Sequence, residues 1–307
     1  MKVLIVCSKN SGKVAHFIVD QVEALEKEGV VCDYFTIEGK GIRGYLGNYK
    51  DLLKKTKNFQ PDLIHAHYGL SGLFANLQRR IPVISTYHGS DINNPKILAF
   101  SRTSILLSAW SIFVSQKNID IAKVKKNFSL IACGVDLKLF QPMDKLAARR
   151  SLGFGAEEKL VLFAGSFKNQ VKNPALAIEA LKLIPDARLL ELKGFTRPQV
   201  ALIMNAVDVC LMTSHTEGSP QFIKEAMACN CPIVSVEVGD VAKLLEGVEN
   251  CWVVERETEQ IAKYLQLALS NTHRCKGNDR IKQLGLESTK VAQQIVEIYK
   301  NINSKYA

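Results

Sequence analysis

The sequence predicts an α/β protein made of two Rossmann-like, doubly wound domains that follow one another and face across a cleft. Three observations predict it. The chain has 307 residues, enough for two domains at about 150 residues each. Apolar runs of strand length alternate with helical patterns almost from end to end, and the alternation weakens once and restarts.

The first set of runs is Val3–Cys7, Val31–Ile37, Leu63–His67, Val83–Tyr87 and Ser111–Ser115, with helix-like stretches such as Lys13–Lys27 between them. Their near-continuous apolarity means strands covered on both faces, which a parallel sheet flanked by helices provides. The pattern fades over Gly134–Asp144 and resumes at Leu160–Gly165, then in ARLLEL, VDVCLM, PIVSV and CWVV. This places a first domain at 1–140 and a second at 141–286. The last segment, 287–307, sets Val291, Ile295 and Ile298 at helical spacing and is expected to pack back onto the first domain. Ligands of open α/β sheets bind beyond the carboxyl ends of the strands, so the loops after strands carry the expectations that follow.

Composition narrows the class. Apolar residues make up 47% and charged residues 23%, which excludes disordered, collagenous and disulfide-scaffold chains. No apolar run approaches the roughly 18 to 20 residues of a bilayer span, and MKVLIVCSKN turns polar too soon for a signal peptide. A cytoplasmic protein is expected, at most peripheral at the inner membrane surface. Cys7, Cys32, Cys133, Cys210, Cys229, Cys231, Cys251 and Cys275 show no C-x-x-C and read as buried thiols of a reducing compartment. The formal charge of +10 sits mainly in residues 1–140, which hold 19 basic and 11 acidic residues. Lys50, Lys54, Lys55 and Lys57, then Lys123, Lys125 and Lys126, would suit an anionic membrane or a phosphorylated acceptor. A solvated helix face is the commoner explanation. No nucleic-acid motif accompanies them, so nucleic acid is not an expected partner.

The most informative segment is Thr213–Pro232, TSHTEGSPQFIKEAMACNCP, after the run ending at Met212. Ser219 reads as an N-cap and Pro220 as the first helical residue. The N–H groups over Gly218–Gln221 and the helix dipole would then suit phosphate oxygens, with a well-capped structural helix as the plainer alternative. Glu217 and Glu225 bracket that start. Eight helical residues would separate them by about 12 Å, too far for a glycosidase acid and base pair. They suit hydroxyl acceptors at the two ends of a nucleotide sugar, with a surface salt bridge as the plainer role for Glu225. His88 in TYHGSD follows a strand and should project into the cleft, although a lone histidine at a strand end is by default a structural hydrogen-bonder, and Asp91 suits a cap for the following turn. His65 and His67 share a strand face, and without a third ligand they suit packing or an acceptor pocket better than a metal. Ser11-Gly12-Lys13-Val14 is no P-loop, because Cys7 and Val14 stand where glycine and Ser or Thr are needed.

The run EGSPQFIKEAMA resembles the E-x7-E signature of family 4 retaining glycosyltransferases, whose fold is GT-B. Similar landmarks occur in order: the Ser11-Gly12 loop, PDLIHAHYG, TYHGSD, GVDLKLFQP, FAGSFKNQVKN and Asp208. The resemblance implies that Glu217 contacts donor sugar hydroxyls, that Glu225 contacts the ribose, and that Gly218, Ser219 and Pro220 lie along the diphosphate. It makes Lys172 the phosphate-binding lysine and His88 a donor-sugar contact, so His88, Lys172 and Glu217 lie nearest the chemistry. Gly12, Ser166, Lys168, Ser214 and Gln221 complete the implied donor site. Ser166 stands where the family commonly has arginine, with Lys168 nearby as a second cation. The segment from Pro185 to Asp208 is shorter than usual, and the family uses it to read the base.

The resemblance thus implies transfer of a hexose-type sugar from a nucleotide-diphosphate sugar to a sugar, lipid-linked or small-molecule acceptor. The setting would be synthesis of cell-surface polysaccharide, glycolipid or small glycosides. Neither a cofactor nor a metal is expected, since cations and the helix dipole can neutralise the diphosphate. A sugar-nucleotide epimerase, a phosphorylase or a noncatalytic subunit of the same fold would share most of these features.

Overall fold

The computed structural model describes residues 1–10, 12–39, 41–271 and 273–306. The chain forms two compact units, Met1–Gly134 with Ser288–Ala307, and Val135–Glu287. Both are built on parallel sheets.

In the first unit six strands are ordered β2-β1-β3-β4-β5-β6. They are β1 (Lys2–Ser8), β2 (Val31–Ile37), β3 (Leu63–His67), β4 (Val83–Tyr87), β5 (Trp110–Phe113) and β6 (Phe128–Leu130). Alternation along β1 explains why its run is apolar throughout. Val3, Ile5 and Cys7 enter one core with Ile18, Val22 and Leu25 of the helix His16–Lys27. Leu4 and Val6 enter another with Phe35, Leu52 and Phe74. Each fully buried aliphatic side chain contributes about 1.5–3 kcal/mol, so both faces of the strand are held. The run expected to continue to Ser115 stops at Phe113. Ser115 instead caps the helix Gln116–Ala122, its side chain accepting from the Asn118 N–H. The sequence reading missed β6, whose three residues are too few to show a period.

The terminal helix, Ser288–Tyr306, belongs to this unit. Val291, Ala292, Ile295, Val296, Tyr299 and Ile302 join the core around the helix His16–Lys27. The Tyr299 hydroxyl and His65 Nδ1 are hydrogen-bonded, which fastens the helix to β3.

In the second unit five strands are ordered β11-β10-β9-β7-β8. They are β7 (Lys159–Phe163), β8 (Ala187–Glu191), β9 (Val209–Met212), β10 (Ile233–Val236) and β11 (Cys251–Val254). The break between units falls before Val135, earlier than the expected Gln141, because Val135 and Phe140 bury in the second unit's core. Between Pro185 and Asp208 the chain makes β8 and the helix Arg197–Ala206. All eight cysteines are free thiols, six of them buried. Among the described residues no helix is long and apolar enough to cross a membrane.

Candidate active site

In the second unit, the loops after β7 and β9 are stitched together. After β7 the chain turns at Gly165, whose φ of 152° suits glycine, and a Cβ there would stand 3.2 Å from Lys172 Cγ. A short 3-10 turn, Gln170–Lys172, is capped by the Asn169 side chain, which accepts from the Val171 N–H at 3.1 Å. The Thr213 hydroxyl lies 2.9 Å from the carbonyls of both Lys172 and Asn173. The His215 N–H donates to the Val171 carbonyl at 2.9 Å. Arg256, just past β11, donates to the Thr213 carbonyl at 3.2 Å and the Ser214 carbonyl at 2.7 Å. These contacts bring Lys172 Nζ to 2.6 Å from Glu217 Oε1, with side chains 24% and 16% exposed. An amine and an acid 45 residues apart become one partly solvated pair.

The helix that follows is Gln221–Ala228, one residue shorter at its start than expected. Pro220, with φ −70° and ψ 119°, is the extended N-cap, so Ser219 precedes the cap and its side chain does not cap the helix. The cradle expected over Gly218–Gln221 therefore lacks a donor at Pro220, which has no N–H. The first turn of the helix, where N–H groups point away from the helix, begins at Gln221. The hydroxyls of Ser214 and Ser219 are shielded from solvent. So is Asp240 Oδ1. Burial raises the Asp240 carboxyl above the ordinary aspartate value, and the Lys224 charge and then the Ser219 hydroxyl pull it partly back. Gly239 abuts this corner, where an added Cβ would stand 2.6 Å from the Gly218 carbonyl oxygen.

Glu225 is not a surface residue. It is 4% exposed, and its Oε1 accepts from Arg197 NH1 at 2.7 Å. Arg197 also lies 4.6 Å over the Phe140 ring. Sequence reading missed this partner, although T-R-P-Q at 196–199 marks a helix start there, the Gln199 side chain accepting from the Thr196 N–H at 2.9 Å. Glu191 was missed too. Its Oε1 accepts from the Ser166 hydroxyl and the Phe167 N–H, both at 2.7 Å. Those two donors hold the carboxyl below the usual glutamate value. Ser166 therefore shapes the turn through an acid at the end of β8, and Lys168 is exposed beyond it. No charge pattern in the sequence announced either pairing.

In the first unit, three imidazoles form a stack at the ends of β3 and β4. His65 and His67 lie 4.6 Å apart and His67 and His88 5.3 Å apart, ring centre to ring centre. His65 Nε2 bonds Thr86 Oγ1 at 2.7 Å, and burial lowers its pKa to about 3. Together with its Tyr299 bond, this makes it a neutral packing residue. Burial also keeps His67 well below the ordinary histidine value, with the charges of His65 and His88 adding. His88 Nε2 meets His67 Nδ1 at 3.0 Å, and Nδ1 meets Cys133 Sγ at 3.8 Å. Phe17 and Tyr68 each stand 4.7 Å from the His88 ring centre. Gly12 sits in a turn at φ 95°, its N–H donating to the Lys9 carbonyl at 2.8 Å, while Ser11 lies outside the described residues. Among the described residues no group of three or more His, Cys, Asp or Glu side chains is placed to hold a metal ion.

Asp91 does cap the turn. Its Oδ1 accepts from the His88 and Gly89 N–H groups at 3.0 and 2.9 Å, and its Oδ2 from Gly69 at 2.9 Å. Burial nonetheless raises its pKa from 3.8 to about 6, against the pull of those bonds. Between these values the folded chain holds a proton that the unfolded chain releases. The resulting stability is complete below about pH 4 and is lost as pH rises through about 6. Urea unfolding of the native chain minus that of Asp91→Asn should therefore shift by on the order of 3 kcal/mol across this window. The native chain should fare relatively better in acid. A difference independent of pH would refute a buried titrating carboxyl.

The two parallel sheets, one in each unit, define a two-unit α/β protein of the GT-B class. Residues 2–139 match the family model Glycosyltransferase Family 4, and residues 186–271 match Glycosyl transferases group 1. The chain belongs to the family 4 glycosyltransferases. It is 25% identical over 252 residues to the D-inositol 3-phosphate glycosyltransferase of Mycobacterium marinum, an alignment covering 66% of this chain and 54% of that protein. The chain spans about half to three-fifths of the length of the curated relatives it matches. Sucrose-phosphate synthase from Thermosynechococcus elongatus superimposes with a TM-score of 0.87 at 18% identity, covering 99% of this chain and 100% of that one. Anabaena Alr3699/HepE, solved in complex with UDP, gives 0.75 at 18% identity, covering 98% and 100%.

Proposed function

We propose that the chain is a retaining glycosyltransferase that moves a hexose-type sugar from a nucleotide-diphosphate sugar to an acceptor hydroxyl. One observation carries the reading: Lys172 pairs with Glu217, four residues before the start of the helix at Gln221. A cation close to a helix start suits a diphosphate, and an acid beside the cation suits the sugar hydroxyls. The UDP and UDP-glucose complexes of HepE support a nucleotide sugar as ligand.

In this reading Lys172 leaves Glu217 for the diphosphate when donor binds, and Glu217 turns to the sugar. As the bond from sugar carbon to phosphate oxygen breaks, negative charge grows on the phosphate, where Lys172 and the helix N–H groups stabilise it. The acceptor oxygen attacks from the side the nucleotide leaves, and the departing phosphate takes its proton. Carbon chirality is kept, and no protein nucleophile is needed. Lys172 and the helix supply the positive charge, so the reading needs no metal. His88, Gly12 and the ribose role of Glu225 enter through the family likeness. Eight free thiols support a reducing, cytoplasmic setting. Cell-surface polysaccharide, glycolipid or small-glycoside synthesis is the proposed context.

A thermal-shift screen of UDP, GDP, ADP and their sugars tests the donor site. At 100 times its dissociation constant a ligand adds about 2.7 kcal/mol, a rise of roughly 5 to 10 °C for a chain of this size. Glu217→Ala and Lys172→Ala should shrink the shift, and variants that keep it whole would move the site elsewhere.

A further inference from the structure

The loop after β10 carries no side chain that the donor reading uses, yet it presses directly on Glu217. Gly239, at φ 64°, lies against the segment after β9. A Cβ added there would stand 2.6 Å from the Gly218 carbonyl oxygen, 3.2 Å from the Gly218 carbonyl carbon and 3.3 Å from Glu217 Cβ. Two of those atoms are backbone, which cannot swing aside as the end of a side chain can.

The loop itself has nowhere to retreat. Val238 and Val241 flank it at 5% and 1% exposure, both in the core of the second unit. The Val241 N–H donates to the Val238 carbonyl at 3.3 Å, closing a turn across Gly239 and Asp240. Asp240 is the N-cap of the helix Val241–Leu245, where an aspartate ordinarily bonds the helix's own N–H groups, but its side chain makes no such bond. The Lys224 charge and the Ser219 hydroxyl act on it instead. Lys224, wholly buried, and Ser219 both belong to the segment that follows Glu217. The turn is thus tied to the segment it presses on.

On its other side Glu217 meets Lys172 at 2.6 Å, and Lys172 rests on Gly165, where an added Cβ would stand 3.2 Å from Lys172 Cγ. A glycine therefore backs each partner of the pair. The backbone and Cβ of Glu217 are fixed, while its carboxyl can still turn about the bonds beyond Cβ.

We propose that Gly239 is a positioning residue for Glu217: it fixes the pivot about which the carboxyl exchanges the Lys172 amine for the donor's sugar hydroxyls. That Glu217 meets the sugar rests on the glycosyltransferase reading; the fixed pivot does not. A pivot held in advance spares the site the cost of ordering the acid when the sugar arrives. Displacing it should harm the grip on the sugar and spare the diphosphate, which keeps Lys172 and the helix start at Gln221.

The test compares the native chain, Gly239→Ala and Gly239→Asn by crystal structure and by affinity for UDP, GDP, ADP and the glucose-bearing form of each. In both variants the Lys172 and Glu217 side chains should part beyond about 4 Å, the reach of an ion pair. The sugar nucleotide should bind about ten- to a hundredfold more weakly, the size of a hydrogen bond to a charged group, and its bare nucleotide should change by less than about threefold. Asparagine tolerates a left-handed φ, so it should do as much harm as alanine if the contact matters and none if only the backbone conformation does. In a Glu217→Gln background Gly239→Ala should cost the sugar nothing further, whereas partial unfolding would add its own loss. Glu217→Asp leaves Gly239 untouched. From a fixed pivot its shorter side chain cannot reach, so it should be as weak as Glu217→Gln. An ion pair unmoved in the Gly239 variants, an asparagine variant that behaves as native, a bare nucleotide that loses as much as its sugar form, or Glu217→Asp within about threefold of native overturns the proposal. If Glu217→Gln leaves every sugar nucleotide's affinity unchanged, the donor reading itself fails, and the crystal structures decide the pivot alone.

Discussion

Replacing Lys172 with methionine is expected to lower turnover of the productive nucleotide sugar by about 10²- to 10³-fold, or roughly 2.7–4 kcal/mol of barrier. Methionine keeps the apolar stem that packs on Gly165 and removes only the charge. The loss should fall on kcat more than on KM, because the phosphate gains most of its negative charge as the sugar bond breaks. Glu217 is left without its amine, but at 16% exposure water solvates part of that deficit, so the melting temperature should change little. Steady-state kinetics beside a thermal melt separates the two effects. A variant within threefold of native kcat removes Lys172 from the chemistry.

Asp208→Ala should cost about 3–5 kcal/mol of stability, the typical loss when one partner of a buried ion pair is removed. Asp208 Oδ2 accepts from Arg149 NH2 at 2.8 Å and from the Leu160 N–H at 2.7 Å, and its Oδ1 pairs with Lys145. Arg149 is 2% exposed, its guanidinium also donating to the carbonyls of Ala206, Gly155 and Ala156. Without Asp208 that charge stays buried without an anion, and the start of β7 loses an acceptor. The expected fall in melting temperature is about 6 to 20 °C. A fall below about 2 °C would mean that the guanidinium is satisfied by carbonyls and water alone. Asp208, a landmark just before the E-x7-E segment, thus serves the scaffold that holds the loops.

Much of the candidate site was legible because its parts lie in short segments. Gly218, Ser219, Pro220 and Glu217 fall within four consecutive positions after a buried strand, and a lysine follows β7 within a turn marked by Gly165. The helix start was misplaced at Ser219 because Ser-Pro is compatible with either register. The backbone at Pro220 is extended, which puts the first helical residue at Gln221. Arg197 with Glu225 and Glu191 with Ser166 escaped notice because each pair spans 25 or more residues. Pairings at that range depend on which strands become neighbours.

What the sequence determined by itself is the alternation of buried strands with amphipathic helices, twice over, and therefore two parallel sheets with loops at their carboxyl ends. Periodicity and burial are local properties, and a strand covered on both faces must be apolar throughout. What only the tertiary structure decided is which distant groups meet: Lys172 with Glu217, Arg149 with Asp208, His65 with Tyr299. Those meetings follow from strand order and from side-chain packing between residues 45, 59 and 234 positions apart. Charges and hydroxyls exposed in the unfolded chain acquire their partners, and their shifted pKa values, only once the sheets have formed.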